Sequence, residues 1–285
     1  MECERPLHIK VEDAFYRDGY RYVTVGCRKC PACQANRRKQ WFFRLKLEEM
    51  YSLVSYCATL TYDDPNLPDL SGDYHPINYD DVQRLHKKLR KKYEFRFFAV
   101  CEYGAERLRP HYHILYFFDH DYRYYDFLDD LYRNWFYGSC RITLDVTTDR
   151  AAEYCLKYCL SSTEENVDDR YRPQIRCSNR PYIGYRWLEQ PGVLSYLHDH
   201  GLTYSRILGY PAALPRLLKQ KIFDDDERRT ISLLTQYDMV DQRILQNDYE
   251  YDRMIQTGEE CMLHDMQRQQ YNLLHNKSVK QRTLK

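Results

Sequence analysis

FRFFAVCEYGAERLRPHYHILYFF, residues 95–118, contains two apolar runs joined by a short polar connection, AERLRP. Two such runs around a short turn predict an antiparallel hairpin. On its second strand His111 and His113 are separated by one residue, so both side chains leave the same face while Tyr112 leaves the other. Both imidazoles can then reach one metal ion. The chain has ten histidines, so a pair at this spacing also arises by chance, and a third ligand is what gives it weight. Glu102 lies on the partner strand, separated from His111 by an eight-residue segment, where hairpin pairing brings its carboxylate toward the two rings. Two nitrogens and one carboxylate leave coordination positions open, which suits Mg²⁺ or Mn²⁺ when phosphate oxygens complete the shell.

Outward from the hairpin, the pattern alternates. The first 26 residues read as a strand or hairpin, and Ala35 to about Leu53 as a helix carrying Trp41, Phe42, Leu45, Leu47 and Met50 at helical spacing. Ser55–Tyr62 alternates as a strand, a turn-rich loop follows, and Asn78 caps a helix that places Val82, Leu85 and Leu89 on one face. After the hairpin come a helix near 121–136, a short strand RITLDV and a helix over Thr148–Ser161. This order predicts an α+β fold, an antiparallel sheet with helices on one face, because a doubly wound parallel sheet needs a crossover after every strand. The core is expected to occupy residues 1–220. Residues 221–285, acidic and Gln-rich with apolar residues at helical spacing, form a helical C-terminal extension.

A second group of residues sits on the Thr148–Ser161 helix, where Tyr154 and Tyr158 are i and i+4 neighbours with Lys157 beside them. Such a tyrosine pair is often a packing stripe. Beside a metal site it has a specific chemical use, since a tyrosinate can attack a phosphodiester while the lysine offsets developing charge.

Charge and composition point to a partner only through their distribution. The formal net charge is +1, but residues 27–47 hold seven Lys/Arg and no acid, and residues 84–96 hold seven against Glu94 alone. Arg37, Arg38, Lys39 and Arg44 in the first cluster, and Lys87, Lys88, Arg90 and Lys91 in the second, are candidate phosphate contacts, although a charge run is commonly just a solvated helix face. The 29 tyrosines serve either as stacking platforms for bases or as packing on half-buried surfaces. No apolar run is long enough to span a membrane, the first residues lack a signal-peptide pattern, and no G-x4-G-K-[ST] motif is present. A reducing compartment and no structural disulfide are expected for the eleven cysteines. Cys27, Cys30 and Cys33 form C-x2-C-x2-C, a Cys-rich turn over 27–33 that, with a fourth ligand such as Cys3 or His8, could hold structural zinc, or else is a tight turn with buried thiols.

His-hydrophobe-His on a strand with Tyr-x-x-Lys-Tyr on a later helix resembles the HUH endonucleases. In detail CRKCPACQANRRKQWFFRL, TLTYDD, CEYGAERLRPHYHILYF, the Tyr154 segment and PRLLKQKIF resemble, in that order, the replication initiators of gokushovirus-type phages over about residues 25–225. The family segment usually continues with a lysine three residues beyond the second tyrosine, where this chain has Ser161. The resemblance implies that Thr59-Leu60-Thr61-Tyr62 is the first family motif, that Pro110-His111-Tyr112-His113 is the metal motif, and that Tyr154 and Tyr158 are the nucleophile pair. It implies a nickase that starts and ends rolling-circle replication, acting on a single-stranded DNA origin with host helicase and polymerase in the host cytoplasm. A non-enzymatic single-strand binding protein is the alternative from a different class, and a metal-dependent hydrolase using activated water is a third.

Overall fold

The computed structural model describes residues 3–12, 19–69, 74–104, 107–143, 152–153, 155–156, 169–210 and 212–231. Chain contacts divide it into two compact units, Met1–Ile222 and Phe223–Lys285. The second lies mostly outside the described residues, as does the expected extension.

The first unit opens with a two-stranded antiparallel ribbon, β1 (Leu7–Glu12) and β2 (Tyr20–Val25), followed by helix α1 (Pro31–Met50). This helix starts four residues earlier than its apolar periodicity predicts, because Pro31 occupies the first turn, where its missing N–H costs nothing. Next come β3 (Val54–Thr61), α2 (Tyr79–Leu89), β4 (Phe95–Tyr103), β5 (Pro110–Phe118), α3 (Tyr124–Asn134), β6 (Cys140–Thr143) and β7 (Gln174–Cys177). Five of these strands form one wholly antiparallel sheet in the order β6-β3-β5-β4-β7. The hairpin β4–β5 lies at its centre.

The fold is thus the expected α+β arrangement around an antiparallel sheet. Its layering differs from the expected cover on one face. β4 and β5 are buried at nearly every position, so both of their faces need cover. On one face Tyr112, Ile114, Tyr116 and Phe118 of β5 pack with Val82, Leu85 and Leu89 of α2 and with Phe127 and Leu131 of α3. On the other, Leu115 and Phe117 of β5 and Phe98 and Val100 of β4 pack with Leu45 of α1. Each fully buried Leu or Phe stabilises the unit by about 1.5–3 kcal/mol. α1 covers the second face because its apolar stripe is matched by Glu48, fully buried, which takes an ion pair from Arg96 of β4 and accepts from the Gly184 N–H at 2.6 Å.

β7 has no counterpart among the sequence expectations, because a four-residue strand, QIRC, shows too little alternation to stand out. α2 fits its sequence well: the Asn78 side chain accepts from the Asp80 N–H, Asp80 and Asp81 fill the first turn, and His86, Lys87 and Lys88 lie in the last. Many tyrosines are spent on packing. The Tyr62, Tyr112 and Tyr116 rings are buried, and their hydroxyls bond Asp81, Asn78 and His86 respectively.

His86 is a pH-sensitive element of this core. Its ring lies 4.5 Å from Phe97 between centroids, its Nε2 is 3.1 Å from the Tyr116 hydroxyl, and burial, followed by the Arg90 charge, pushes its pKa down to about 3. The folded state therefore binds fewer protons than the unfolded one between pH 3 and the ordinary value near 6.5. Its contribution to stability is complete above about pH 6.5 and declines as pH falls, by about 1.4 kcal/mol per unit. Urea unfolding between about pH 7 and 5 checks this: His86→Gln is expected to flatten the slope by that amount, and equal slopes would refute it.

Candidate functional site

The hairpin register sets Glu102 opposite His111, and on the other side β3 sets Thr61 opposite His111 and Thr59 opposite His113. These side chains belong to the face covered by α1, because they continue the rows of Phe98 and Val100 on β4, Leu115 and Phe117 on β5, and Cys57 on β3. Tyr112 leaves the opposite face, as expected, and is buried there beside Tyr62 and Trp135.

His113 is buried, with Nε2 2.8 Å from Glu102 Oε1 and Nδ1 3.0 Å from Thr59 Oγ1. Glu102 is buried as well, so this is a charge-capable contact shielded from water. His111 is half-buried, and its Nδ1 donates to the Arg109 carbonyl at 2.7 Å. A carbonyl only accepts, which fixes the tautomer and leaves the Nε2 lone pair free for a cation. Burial first, with the neighbouring His113 adding, holds the His111 pKa below the ordinary value against the raising effect of the Arg109 carbonyl. The ring is neutral at about pH 7, as a metal ligand must be.

The expected ligands are therefore brought to one strand end, but not into one tight cluster. Among the described residues the group of three or more metal-type ligand atoms within 4.8 Å of one another is a cysteine cluster, Cys3, Cys27, Cys30 and Cys33. Glu102 and His113 touch, while His111 stands apart, turned toward Arg109. The donor set still fits a divalent cation, having a carboxylate, two ring Nε2 atoms, and both Nδ1 atoms held from behind. Two supporting residues lie beyond the sequence reading. Gly104 passes so close that a Cβ there would lie 2.8 Å from His111 Cε1, and the Thr59 hydroxyl orients His113. Their signals were faint, a glycine directly after CEY and a threonine on the strand before.

Tyr154, Lys157 and Tyr158 lie outside the described residues. Ala152, Cys155 and Leu156, which flank them in sequence, are fully buried on the histidine-bearing face, in one cluster with Phe98, Val100 and Leu115. Cys155 also hydrogen-bonds Cys57, lowering the pKa of that thiol.

The basic residues divide. Arg37, Arg38 and Lys39 are exposed on α1. Lys87, Lys88, Arg90 and Lys91 are also exposed, but at the end of α2, which covers the face opposite the histidines. Arg44 is a correction to the sequence reading. It is buried, donates from Nε to the Ile183 carbonyl at 3.0 Å and lies 4.0 Å over Trp41, so its guanidinium holds the fold together. Among the described residues, no helix is long and apolar enough to cross a membrane.

Residues 55–163 match a family model described as the replication-associated protein ORF2 type. That segment contains Glu102, both histidines and both tyrosines. The chain is 31% identical over 142 residues to the Replication-associated protein ORF2 of Spiroplasma virus 4, covering 41% of this chain and 44% of the relative. It is 28% identical over 204 residues to the Replication-associated protein VP4 of Bdellovibrio phage phiMH2K, covering 63% and 60%. It is 29% identical over 125 residues to the Replication-associated protein ORF4 of Chlamydia phage 1, covering 40% and 30%. The matches thus span between 30% and 60% of these relatives' lengths. No solved structure matches the chain. Across the segment that carries the histidine strand, the chain groups with the replication-associated proteins found in small phage genomes.

Proposed function

We propose that the protein is a replication initiator that nicks and rejoins single-stranded origin DNA of a small circular phage genome through a 5′-phosphotyrosine link. The reading assigns this activity to residues 1–220. The observation that carries it is the shared sheet face: Glu102, His111 and His113 continue the rows of side chains against which Ala152, Cys155 and Leu156 pack, and these last three bracket Tyr154 and Lys157 in sequence. The matched segment and its replication-associated relatives agree with it. Mg²⁺ or Mn²⁺ held by Glu102, His111 and His113 would polarise the phosphoryl oxygens.

The rest of the chemistry belongs to the chain. The phenolic oxygen of Tyr154 or Tyr158 bonds to phosphorus as the bond to the 3′ oxygen breaks. Its proton leaves to solvent, and the departing 3′ oxygen takes one up. One diester replaces another, so the link conserves the energy needed for rejoining, and no ATP is required. Lys157 offsets charge on the phosphoryl group, while Arg37, Arg38 and Lys39 hold the backbone of the strand. The freed 3′ hydroxyl is extended by host polymerase with host helicase, in the host cytoplasm.

Short single strands tiled across the replicon that encodes the protein test the proposal. With Mg²⁺ or Mn²⁺, a 3′-labelled strand is expected to become covalently attached to protein on a denaturing gel, while its 5′-labelled twin is released shortened. EDTA is expected to abolish both. Nicking without an adduct would favour an activated water, and binding without nicking would favour a single-strand binding protein.

A further inference from the structure

The ribbon β1–β2 poses a physical problem that the nicking site does not address. A lone two-stranded ribbon is marginal in water, and this one exposes Leu7, Ile9 and Tyr22 instead of burying a face. Something other than a hydrophobic core must hold it. At its open end, Leu7 pairs with Val25, so the chain just before β1 and the chain just after β2 run side by side. That pairing brings Cys3 to Cys27, and the two following turns bring Cys30 and Cys33 to the same point at the start of α1.

We infer that Cys3, Cys27, Cys30 and Cys33 form a tetrahedral structural zinc site that staples the ribbon to the first turn of α1. All four sulfurs lie within 4.8 Å of one another, and none is in a disulfide. Zinc–thiolate bonds of about 2.3 Å in a tetrahedron require sulfur–sulfur separations of about 3.8 Å. Cys30 Sγ and Cys3 Sγ are 3.8 Å apart.

The backbone is arranged for thiolates. The Lys29 and Cys30 N–H groups donate to Cys27 Sγ at 3.4 and 3.2 Å, and the Cys27 N–H donates to Cys3 Sγ at 3.2 Å. Aiming two successive amides at one sulfur needs a sharp turn. Arg28 makes it in the left-handed region, at φ 64°, a conformation costly for a residue with a Cβ. Gly26 closes the other side, since a Cβ there would lie 2.8 Å from Cys33 Sγ. His8, the other fourth ligand that the spacing allowed, is instead engaged on β1, its Nδ1 3.1 Å from Thr24 Oγ1. Four thiolates are a soft donor set, which selects zinc over the hard cation proposed for Glu102, His111 and His113.

This inference stands apart from the nicking reading, and its test reads metal content, not cleavage. Full-length protein purified under reducing conditions from zinc-supplemented medium is expected to carry one zinc per chain by elemental analysis. Cys3→Ser and Cys30→Ser are expected to lose it, whereas Cys177→Ser, outside the cluster, keeps it. If a variant fails to fold, wild-type protein still decides: stripping its zinc with a chelator is expected to expose four additional thiols to a thiol reagent, and Co²⁺ added in its place is expected to give thiolate-to-cobalt charge-transfer absorption. A metal-free protein, bound iron in place of zinc, a disulfide among the four cysteines, or zinc retained by Cys30→Ser would overturn the assignment.

Discussion

His111→Ala is expected to reduce strand cleavage by about a thousandfold or more, the several kcal/mol a polarising cation supplies, while single-strand affinity stays within about twofold. The separation follows from placement. The histidines project from the end of the central strands, whereas the exposed Arg37, Arg38 and Lys39 lie on α1 and hold the strand through phosphate charge alone. His113→Ala is expected to give the same loss, but it is the poorer single test. Removing that ring leaves the buried Glu102 carboxylate without its 2.8 Å partner, and an uncompensated buried charge destabilises by about 3–5 kcal/mol. His111 makes no such contact, being engaged with the Arg109 carbonyl, so its removal leaves the hairpin core intact. Cleavage rates and fluorescence anisotropy on the same labelled strand separate the outcomes: parallel loss of binding and cleavage would argue that the histidines serve the fold or the strand and not a cation.

How far this site was legible from sequence depended on the range of the interactions. The pairing of Glu102 with the histidine strand is local, set by two apolar runs and an eight-residue connection, and the observed register opposes Glu102 to His111 as that reading requires. The Asn78 cap and the apolar stripe of α2 are equally local. What was not legible is long-range. Cover by α1 on the second sheet face depends on Glu48 meeting Arg96 and Gly184, residues 48 and 136 positions away, which no periodicity encodes. Arg44 reads as one more cation in a basic run because nothing local announces the Ile183 carbonyl 139 residues on. Cys3 joins the C-x2-C-x2-C turn only through the ribbon register. The tight approach of Gly104 to His111 likewise needs the third dimension.

The tyrosine pair carries the central claim, because each nick consumes one nucleophile. An enzyme that opens and closes a circle without releasing the genome end needs two, and side chains at i and i+4 of a helix, about 5–6 Å apart at Cβ, can approach one phosphate in turn. Phenylalanine keeps the ring and its packing and deletes only the hydroxyl. The most direct measurement is therefore covalent adduct formation on a 3′-labelled origin strand by Tyr154→Phe, Tyr158→Phe and the double variant, read on denaturing gels beside the yield of closed circles. Each single variant is expected to form the adduct yet fail to release circles, and the double variant to form none. An adduct of normal yield from the double variant would place the nucleophile elsewhere and contradict the account.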